Sequence, residues 1–141
     1  MKDVLFFIWE LPQNILGFLV SLFGKKKTVT TYTGDNVKVW FKPLFNSGVS
    51  LGRFIILDTL YLKTANSVLT RSVSHEHGHQ VQSRIFGWFY LPVVGLVSIS
   101  RNIWDRIAHK DWLLSKRQKW YYGGFPEKQA DEFGGVERRW V

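Results

Sequence analysis

Three of the chain's four histidines fall within the heptapeptide SHEHGHQ, residues 74–80, together with one glutamate. His75, Glu76 and His79 match the pattern H-E-x-x-H. Residues i and i+4 of a helix share one face, so both imidazoles can reach one metal ion at zinc–nitrogen distances of about 2.0–2.1 Å. Glu76 is turned by about 100° from His75, which directs its carboxylate to a water molecule beside the metal. The pattern predicts a zinc site with His75 and His79 as ligands and Glu76 as general base.

The third histidine of the heptapeptide, His77, lies about 200° around such a helix from His75. We therefore assign it to solvent or to a supporting contact outside the site. A catalytic zinc ion takes three protein ligands and keeps one position open, so one more ligand is needed. The metzincin continuation of the motif does not supply it, because Gln82 stands at its glycine position and Ile85 at its third histidine.

A carboxylate from a second helix is the remaining option, and the segment PEKQADEFGG, residues 126–135, offers one. Glu127 and Asp131 are four residues apart and share one face of a helix. Glu127 can then bind the metal while Asp131 orients a ligand imidazole. The alternatives are Asp131 or Glu132 as the direct ligand, and a solvated acidic face without a metal.

The two motifs together, HEHGH and EKQAD, follow the pattern H-E-x-x-H and then E-x-x-x-D. This combination resembles the gluzincin clan of zinc metallopeptidases, and most resembles its membrane-bound branch of HtpX-like and CAAX-prenyl-protease-like enzymes. Minimal single-domain gluzincins are similar in layout. The resemblance implies one Zn²⁺ ion held by His75, His79 and Glu127. It further implies Glu76 as general base, Asp131 as the partner of the first histidine, and hydrolysis of a peptide or protein substrate.

In such enzymes the strand before the active-site helix borders the cleft and binds extended peptide by strand addition, which here indicates residues 53–60. No motif identifies the group that steadies the oxyanion, and Tyr121, Tyr122 and His109 are candidates by residue type only. Two other hypotheses stay open. One is a catalytically inactive zinc-binding or membrane-associated scaffold with a zincin-like fold, and the other is a metal-free basic module on a membrane surface.

The pattern along the chain predicts an α+β fold. One zincin-like domain, residues 25–141, follows a hydrophobic or amphipathic helix within residues 1–24, packed on the domain or on a membrane. β-branched and aromatic runs on both sides of TGDN predict a β-hairpin, and residues 53–60 predict a third strand after a glycine-rich loop. The expected sheet therefore has about three strands.

Two helices are expected to carry the motifs. The first, of about five turns, begins at Thr64, Asn66 or Ser67 and ends near Gly87. The second is short, because Pro126 can start it and the glycine pair 134–135 can stop it. Between them, residues 85–100 are uncharged but contain Pro92, which predicts a kinked, re-entrant or buried segment. Residues 101–120 are expected to form an amphipathic surface helix.

Composition bears on partners and location. The net charge is +8 and aromatic residues make up 16% of the chain, without a basic run typical of nucleic-acid binding. The chain has no cysteine, which excludes disulfides and thiolate metal ligands. Residues 11–24 are uncharged, yet they fall short of the roughly 20 that a spanning helix needs, and we expect this N-terminal segment to be retained. We expect a membrane or membrane-associated location, otherwise a cytoplasmic one, and no nucleic acid as partner.

Overall fold

The computed structural model describes residues 1–139, and residues 140 and 141, the end of the predicted domain 25–141, lie outside the described part. The α+β class is confirmed, with six α-helices and a four-stranded mixed sheet in the described residues. The helices are α1 (Lys2–Trp9), α2 (Leu11–Ser21), α3 (Asn66–Phe86), α4 (Leu96–Ala108), α5 (Leu114–Tyr122) and α6 (Glu127–Gly134). The strands are β1 (Lys25–Thr30), β2 (Asn36–Phe41), β3 (Gly48–Leu51) and β4 (Phe54–Leu57).

The sheet has the strand order β1-β2-β4-β3. The predicted hairpin is confirmed, because β1 and β2 pair antiparallel around a turn in which Gly34 has a φ of +88°. β4 then runs parallel to β2 and antiparallel to β3. The sheet has one strand more than expected, since β3 lies in the stretch read as a loop. β3 has only four residues and is followed by a tight turn at Gly52 (φ +62°), so the alternation of apolar and polar residues is too short to predict a strand.

The expected strand over residues 53–60 is shorter in the structure. β4 ends at Leu57, and a 3₁₀ turn, Thr59–Lys63, takes over. Asp58 causes the change of direction, because its carboxylate accepts hydrogen bonds from the backbone N–H groups of Leu44 at 2.8 Å, Asn46 at 3.0 Å and Leu60 at 2.8 Å. The backbone therefore leaves the extended conformation at Asp58.

The apolar core lies between the sheet and the first half of α3. It consists of Val29, Val39, Phe41, Ile55, Leu57, Leu69 and Val73. The second half of α3 is also buried, but its buried side chains are polar, from Ser74 to Ser83. Buried polar groups are retained only where partners satisfy them. The second half of α3 is therefore the part of the helix in which a functional site is expected.

Helix α6 lies directly against that polar half of α3, and two glycines permit the approach. A Cβ atom on Gly78 would collide with the carbonyl oxygen of Ala130, and one on Gly134 would collide with that of Ser74. α6 begins after Pro126 and ends at Gly135, which is left-handed with a φ of +68°. The two motif-bearing helices thus touch backbone to backbone.

The rest of the helical layer is broken into short pieces. Residues 1–24 form two helices, α1 and α2, that meet at 84°, and no single described helix is long and apolar enough to cross a membrane. After α3 the chain bends through a 3₁₀ turn, Gly87–Phe89, and a π-helical turn, Leu91–Gly95, before α4. The expected helix over residues 101–120 is interrupted after Ala108, so that α4 and α5 are separate.

Candidate metal centre

The structure brings the three predicted ligands to one point. His75 and His79 face α6 from neighbouring turns of α3, and Glu127 is the first residue of α6. Glu127 Oε2 lies 2.9 Å from His75 Nε2 and 3.1 Å from His79 Nε2. All three residues are buried, and they form a group that could hold a metal ion. Among residues 1–139 no second group of this kind is found.

The geometry is close to that of a coordinating set. The three ligand atoms lie within 4.8 Å of one another. Ligands about 2 Å from one ion are at most about 4 Å apart. A small inward movement of the imidazoles therefore separates this arrangement from a coordinating one.

Both histidines direct Nε2 toward Glu127, because Nδ1 of each ring is hydrogen-bonded to another acceptor. His75 Nδ1 lies 2.7 Å from Asp131 Oδ1, and His79 Nδ1 lies 2.7 Å from Gln82 Oε1. An acceptor at Nδ1 places the proton there in the neutral imidazole and leaves the Nε2 lone pair free. Asp131 thus occupies the predicted position beside the first histidine. In this tautomer, Nε2 of each ring is the nitrogen that can bind a cation.

Gln82 is a member of the site that sequence reasoning missed. It is fully buried, and its amide nitrogen donates to the Pro126 carbonyl at 2.9 Å and to Gln129 Oε1 at 3.0 Å. These two acceptors fix the orientation of the amide, so that its oxygen faces His79. The signal was present in the sequence, because Gln82 follows His79 by three residues on the same helix face.

Ser98 is a second missed member, and the sequence carries no sign of it. Its hydroxyl, on α4, donates to Glu127 Oε1, as does the hydroxyl of Tyr121 at 3.0 Å. The two hydroxyls also lie 3.2 Å apart. Oε1 of Glu127 therefore accepts hydrogen bonds from α4 and α5, whereas Oε2 faces the two histidines.

The remaining sequence candidates lie in different places. The Tyr122 ring packs edge-on against His75, with centroids 5.4 Å apart. His109 lies away from the site, at the end of α4, where Asp105 and the stacked ring of Trp112 hold it. Glu132 is exposed on α6. Of the three oxyanion candidates, only the two tyrosines border the centre.

His77 lies outside the ligand group. Its ring nitrogens contact Gln80 Oε1 at 2.8 Å and Asp35 Oδ2 at 3.1 Å. Asp35 belongs to the turn of the β1–β2 hairpin. His77 therefore ties α3 to the hairpin.

The charges at the site follow from burial and hydrogen bonding. Burial lowers the pKa of His75, but the hydrogen bonds with Asp131 and Glu127 outweigh it and raise the pKa to about 10. Burial raises the pKa of Glu127, yet contacts with His75 and His79 hold it well below its ordinary value. The pKa of Asp131 is lowered in the same way, against burial, by His75 and Arg138. At neutral pH His75 therefore carries a proton and both carboxylates are anions, so a metal ion would bind by displacing the proton on His75 Nε2.

Arg138 anchors the outer end of this network. Its guanidinium donates to both oxygens of Asp131, at 2.7 and 3.0 Å, and lies 3.5 Å from the centroid of the Tyr122 ring. A bidentate pair of this kind fixes the plane of the carboxylate. His75, Asp131 and Arg138 therefore form one line from the centre to the protein surface.

Glu76 stands on the wall of the cavity that contains the three ligands. The cavity has a volume of ≈ 1060 Å³. Burial raises the pKa of Glu76, against the opposing charges of His79 and His75. A raised pKa makes a carboxylate a stronger base near neutral pH. Glu76 therefore has both the place and the basicity for proton transfer beside the ligand group.

Both β3 and β4 border this cavity, since Leu57 of β4 also lines it, but the expectation that residues 53–60 bind a peptide by strand addition is wrong. β4 is hydrogen-bonded on both sides, to β2 and to β3, so that it has no free edge for a peptide. β3 is the edge strand on this side of the sheet, and Gly48, Val49 and Ser50 line the cavity. The chain turns back through Gly52, which places the earlier strand outside the later one. Sequence order alone did not reveal this reversal.

No protein-family model, no curated protein sequence and no solved structure matches the chain at a significant level.

Proposed function

We propose that the protein is a zinc-dependent metallopeptidase of the gluzincin type, built on a minimal zincin-like domain and acting on a peptide or protein. The observation that supports this most is the convergence of His75, His79 and Glu127 with Glu76 beside them in one cavity. Two imidazole nitrogens and one carboxylate oxygen are a known protein ligand set of catalytic zinc. Magnesium and calcium prefer oxygen-only sets, which favours zinc here.

A zinc ion held by His75, His79 and Glu127 would act as a Lewis acid toward a peptide carbonyl and lower the pKa of a water molecule. The chain's own residues prepare that role. Asp131 and Gln82 keep the Nε2 lone pairs of the histidines directed inward, and Ser98 and Tyr121 restrain Glu127. Preset ligands lose little freedom when an ion binds.

Glu76 would carry the proton in the hydrolytic step. Its carboxylate takes a proton from the attacking water as the new C–O bond forms, and later gives that proton to the leaving nitrogen as the C–N bond breaks. The products are a carboxylate and an amine, and Glu76 returns to its starting form. Its raised pKa suits both halves of this transfer.

The edge strand β3 would hold the substrate. An extended peptide can add to a free strand edge through main-chain hydrogen bonds. Gly48 on this strand lies beside the base, because a Cβ atom there would be 3.0 Å from Glu76 Oε1. A peptide on β3 would therefore pass beside the base.

The test is the Glu76→Gln variant in protein purified without a histidine tag. Zinc should stay bound at about one ion per chain, while cleavage of a peptide library falls by at least about 100-fold, since general acid–base groups contribute that much or more. His79→Ala should lose zinc and cleavage together. His77→Ala is the matched control on the same helix, and should retain both.

The outcomes separate the competing hypotheses. Full activity in Glu76→Gln would contradict the role of Glu76. Bound zinc without cleavage by the wild-type protein would identify an inactive zinc-binding scaffold. Absence of zinc, with stability unchanged in His75→Ala, would identify a metal-free module instead.

A further inference from the structure

Helix α2 is packed with its polar side inward. Its buried residues are Gln13, Asn14, Gly17 and Ser21, whereas Ile15, Phe18 and Leu19 are each more than half exposed. The inward side chains have specific partners: Gln13 donates to Ser83 Oγ at 2.9 Å and to the Gly87 carbonyl at 2.8 Å. This polarity is opposite to that of a helix on a protein in water, which buries its apolar stripe.

Helix α4 shows the same inversion. Ser98, Arg101 and Asp105 form a stripe along one side, and each is bonded inward: Ser98 to Glu127, Arg101 to the Trp120 carbonyl and Asp105 to Arg117. The opposite side carries Leu96, Ile99, Ile103 and Ile107, all more than half exposed. Two helices distant in sequence thus turn apolar stripes outward.

The two stripes border the same opening. Leu16 and Val20 of α2 and Ile99 and Ile103 of α4 line the cavity that contains Glu76 and the ligand group. We call the outward residues Ile15, Phe18, Leu19, Ile99, Ile103 and Ile107 the apolar face. Because Leu16, Ile99 and Ile103 line the cavity and are themselves exposed, the cavity opens beside both halves of this face.

The charge around the apolar face indicates what covers it. Six of the eleven acidic side chains are buried, while none of the nineteen Lys and Arg side chains, all within residues 1–139, is buried. Lys25, Lys26 and Lys27 follow α2 directly and are exposed. Arg53 and Arg84 lie over the rings of Phe7 and Phe6 on α1. A basic rim around an apolar centre matches an anionic bilayer, whereas a second copy with a charge of +8 would be repelled.

The lengths of α2 and α4 limit how deeply the two helices can enter a bilayer. α2 has 11 residues and α4 has 13, so at 1.5 Å per residue they are about 16 and 20 Å long. The hydrocarbon core of a bilayer is about 30 Å thick. We propose that the apolar face docks the protein on one leaflet of an anionic membrane, with the cavity opening onto the lipid. This inference rests on the polarity of α2 and α4 and stands independently of the proposed peptidase activity.

Vesicle binding by the full chain tests the proposal without any catalytic readout. Phosphatidylcholine vesicles with about 30% phosphatidylserine should bind the protein more tightly than pure phosphatidylcholine. Phe18→Glu on α2 and Ile103→Glu on α4 should each weaken that binding by about tenfold or more, because each places a charge in the apolar region. Leu60→Glu is the matched control: Leu60 is equally exposed, at 50%, but lies in the Thr59–Lys63 turn.

Circular dichroism and thermal melting should show that both variants fold, since the altered side chains point outward. Equal binding by the wild type and both variants would overturn the proposal. So would a dimer that Phe18→Glu dissociates in sedimentation, with no vesicle binding, because a second copy would then cover the face.

Whether the cavity opens toward the lipid requires a separate measurement. Because the chain has no cysteine, Ile99→Cys introduces one site for an environment-sensitive fluorophore. Its emission should shift to the blue when anionic vesicles are added, and a label at Leu60→Cys should not change. An unchanged Ile99 label on vesicle-bound protein would show that the mouth faces away from the lipid.

Discussion

At the scale of single residues, α3 carries two histidine–glutamine pairs with the same spacing and different roles. His77 contacts Gln80, and His79 contacts Gln82, each through Nδ1 and at 2.8 and 2.7 Å respectively. Only the second pair faces α6 and the ligand group. Helix geometry, and not residue type, decides which glutamine supports the metal centre.

These two pairs allow a matched experiment. Gln82→Ala removes the acceptor that fixes the His79 tautomer, and it removes one of two donors to the Pro126 carbonyl, which keeps the backbone N–H of Ala130. Zinc affinity should fall by about 10- to 100-fold, the usual effect of losing such a supporting contact. Gln80→Ala should leave zinc affinity nearly unchanged. Competition titration against a chromophoric chelator measures both, and equal losses in the two variants would refute the role of Gln82.

A second residue-scale prediction concerns Glu10, which is buried between α1 and α2. Burial raises its pKa above the ordinary 4.5, and this outweighs the opposing effects of Ser83 and the charge of Arg84. Folding therefore favours the protonated form, so its contribution to stability is complete below pH 4.5 and is lost as the pH rises through the folded-state pKa.

Glu10→Gln imitates the protonated carboxyl at every pH. The variant should thus be more stable than the wild type at pH 7, and the difference should close on acidification toward pH 4.5 and below. Urea unfolding across this range measures it, with Glu132→Gln, which removes an exposed carboxylate, as the control. A Glu10→Gln variant that is less stable than wild type at pH 7 would reverse the sign and contradict the argument.

The ligand group illustrates what the sequence could reveal at this scale. His75, His79 and Asp131 were predictable because helical spacing alone determines which side chains share a face. Gln82 obeys the same rule and was overlooked because glutamine is not itself a ligand. Ser98 could not have been found, since its place beside Glu127 depends on how α4 packs, and no local pattern encodes that.

At the scale of elements, the metal centre depends on how closely α3 and α6 approach. Gly78→Ala should force them apart, because the new methyl group would meet the Ala130 carbonyl. Overpacking of this kind costs about 1–3 kcal/mol, and Glu127 should move away from the histidines. Gly95→Ala is the control, since a methyl group there meets its nearest atom only at 3.8 Å. Chemical unfolding and zinc titration of both variants check the expectation; unchanged zinc affinity in Gly78→Ala would count against it.

The elements also differ in how far the sequence could predict them. α3 and α6 have strong boundary residues, Gly87, Pro126 and Gly135, and were predicted well. β3 was not, because it has four residues and is defined by its pairing with β4. For α2, the sequence predicted a hydrophobic or amphipathic helix but could not say which side faces inward. The inward side is determined by the hydrogen bonds of Gln13 and Asn14, whose partners are 70 and 39 positions away in the sequence.

At the scale of the whole molecule, the ligand group joins parts of the chain that are far apart in sequence. His75 and Glu127 are separated by 52 positions, and Ser98 adds α4 to the same contact. The apolar cluster described above, in contrast, joins only the sheet and the first half of α3. A metal ion at this point would therefore strengthen a part of the molecule that lies outside this cluster.

Zinc should consequently raise the global stability of the protein. A ligand that binds only the folded state stabilises it by about 2.7 kcal/mol at a free concentration 100 times its dissociation constant. Thermal unfolding should thus shift upward with added zinc and return with a chelator. His75→Ala should abolish the shift, because the ion would lose one of its ligands, whereas His77→Ala should keep it. If His75→Ala retained the full shift, zinc would have to bind elsewhere, and the joining of α3 to α6 through the ion would be disproved.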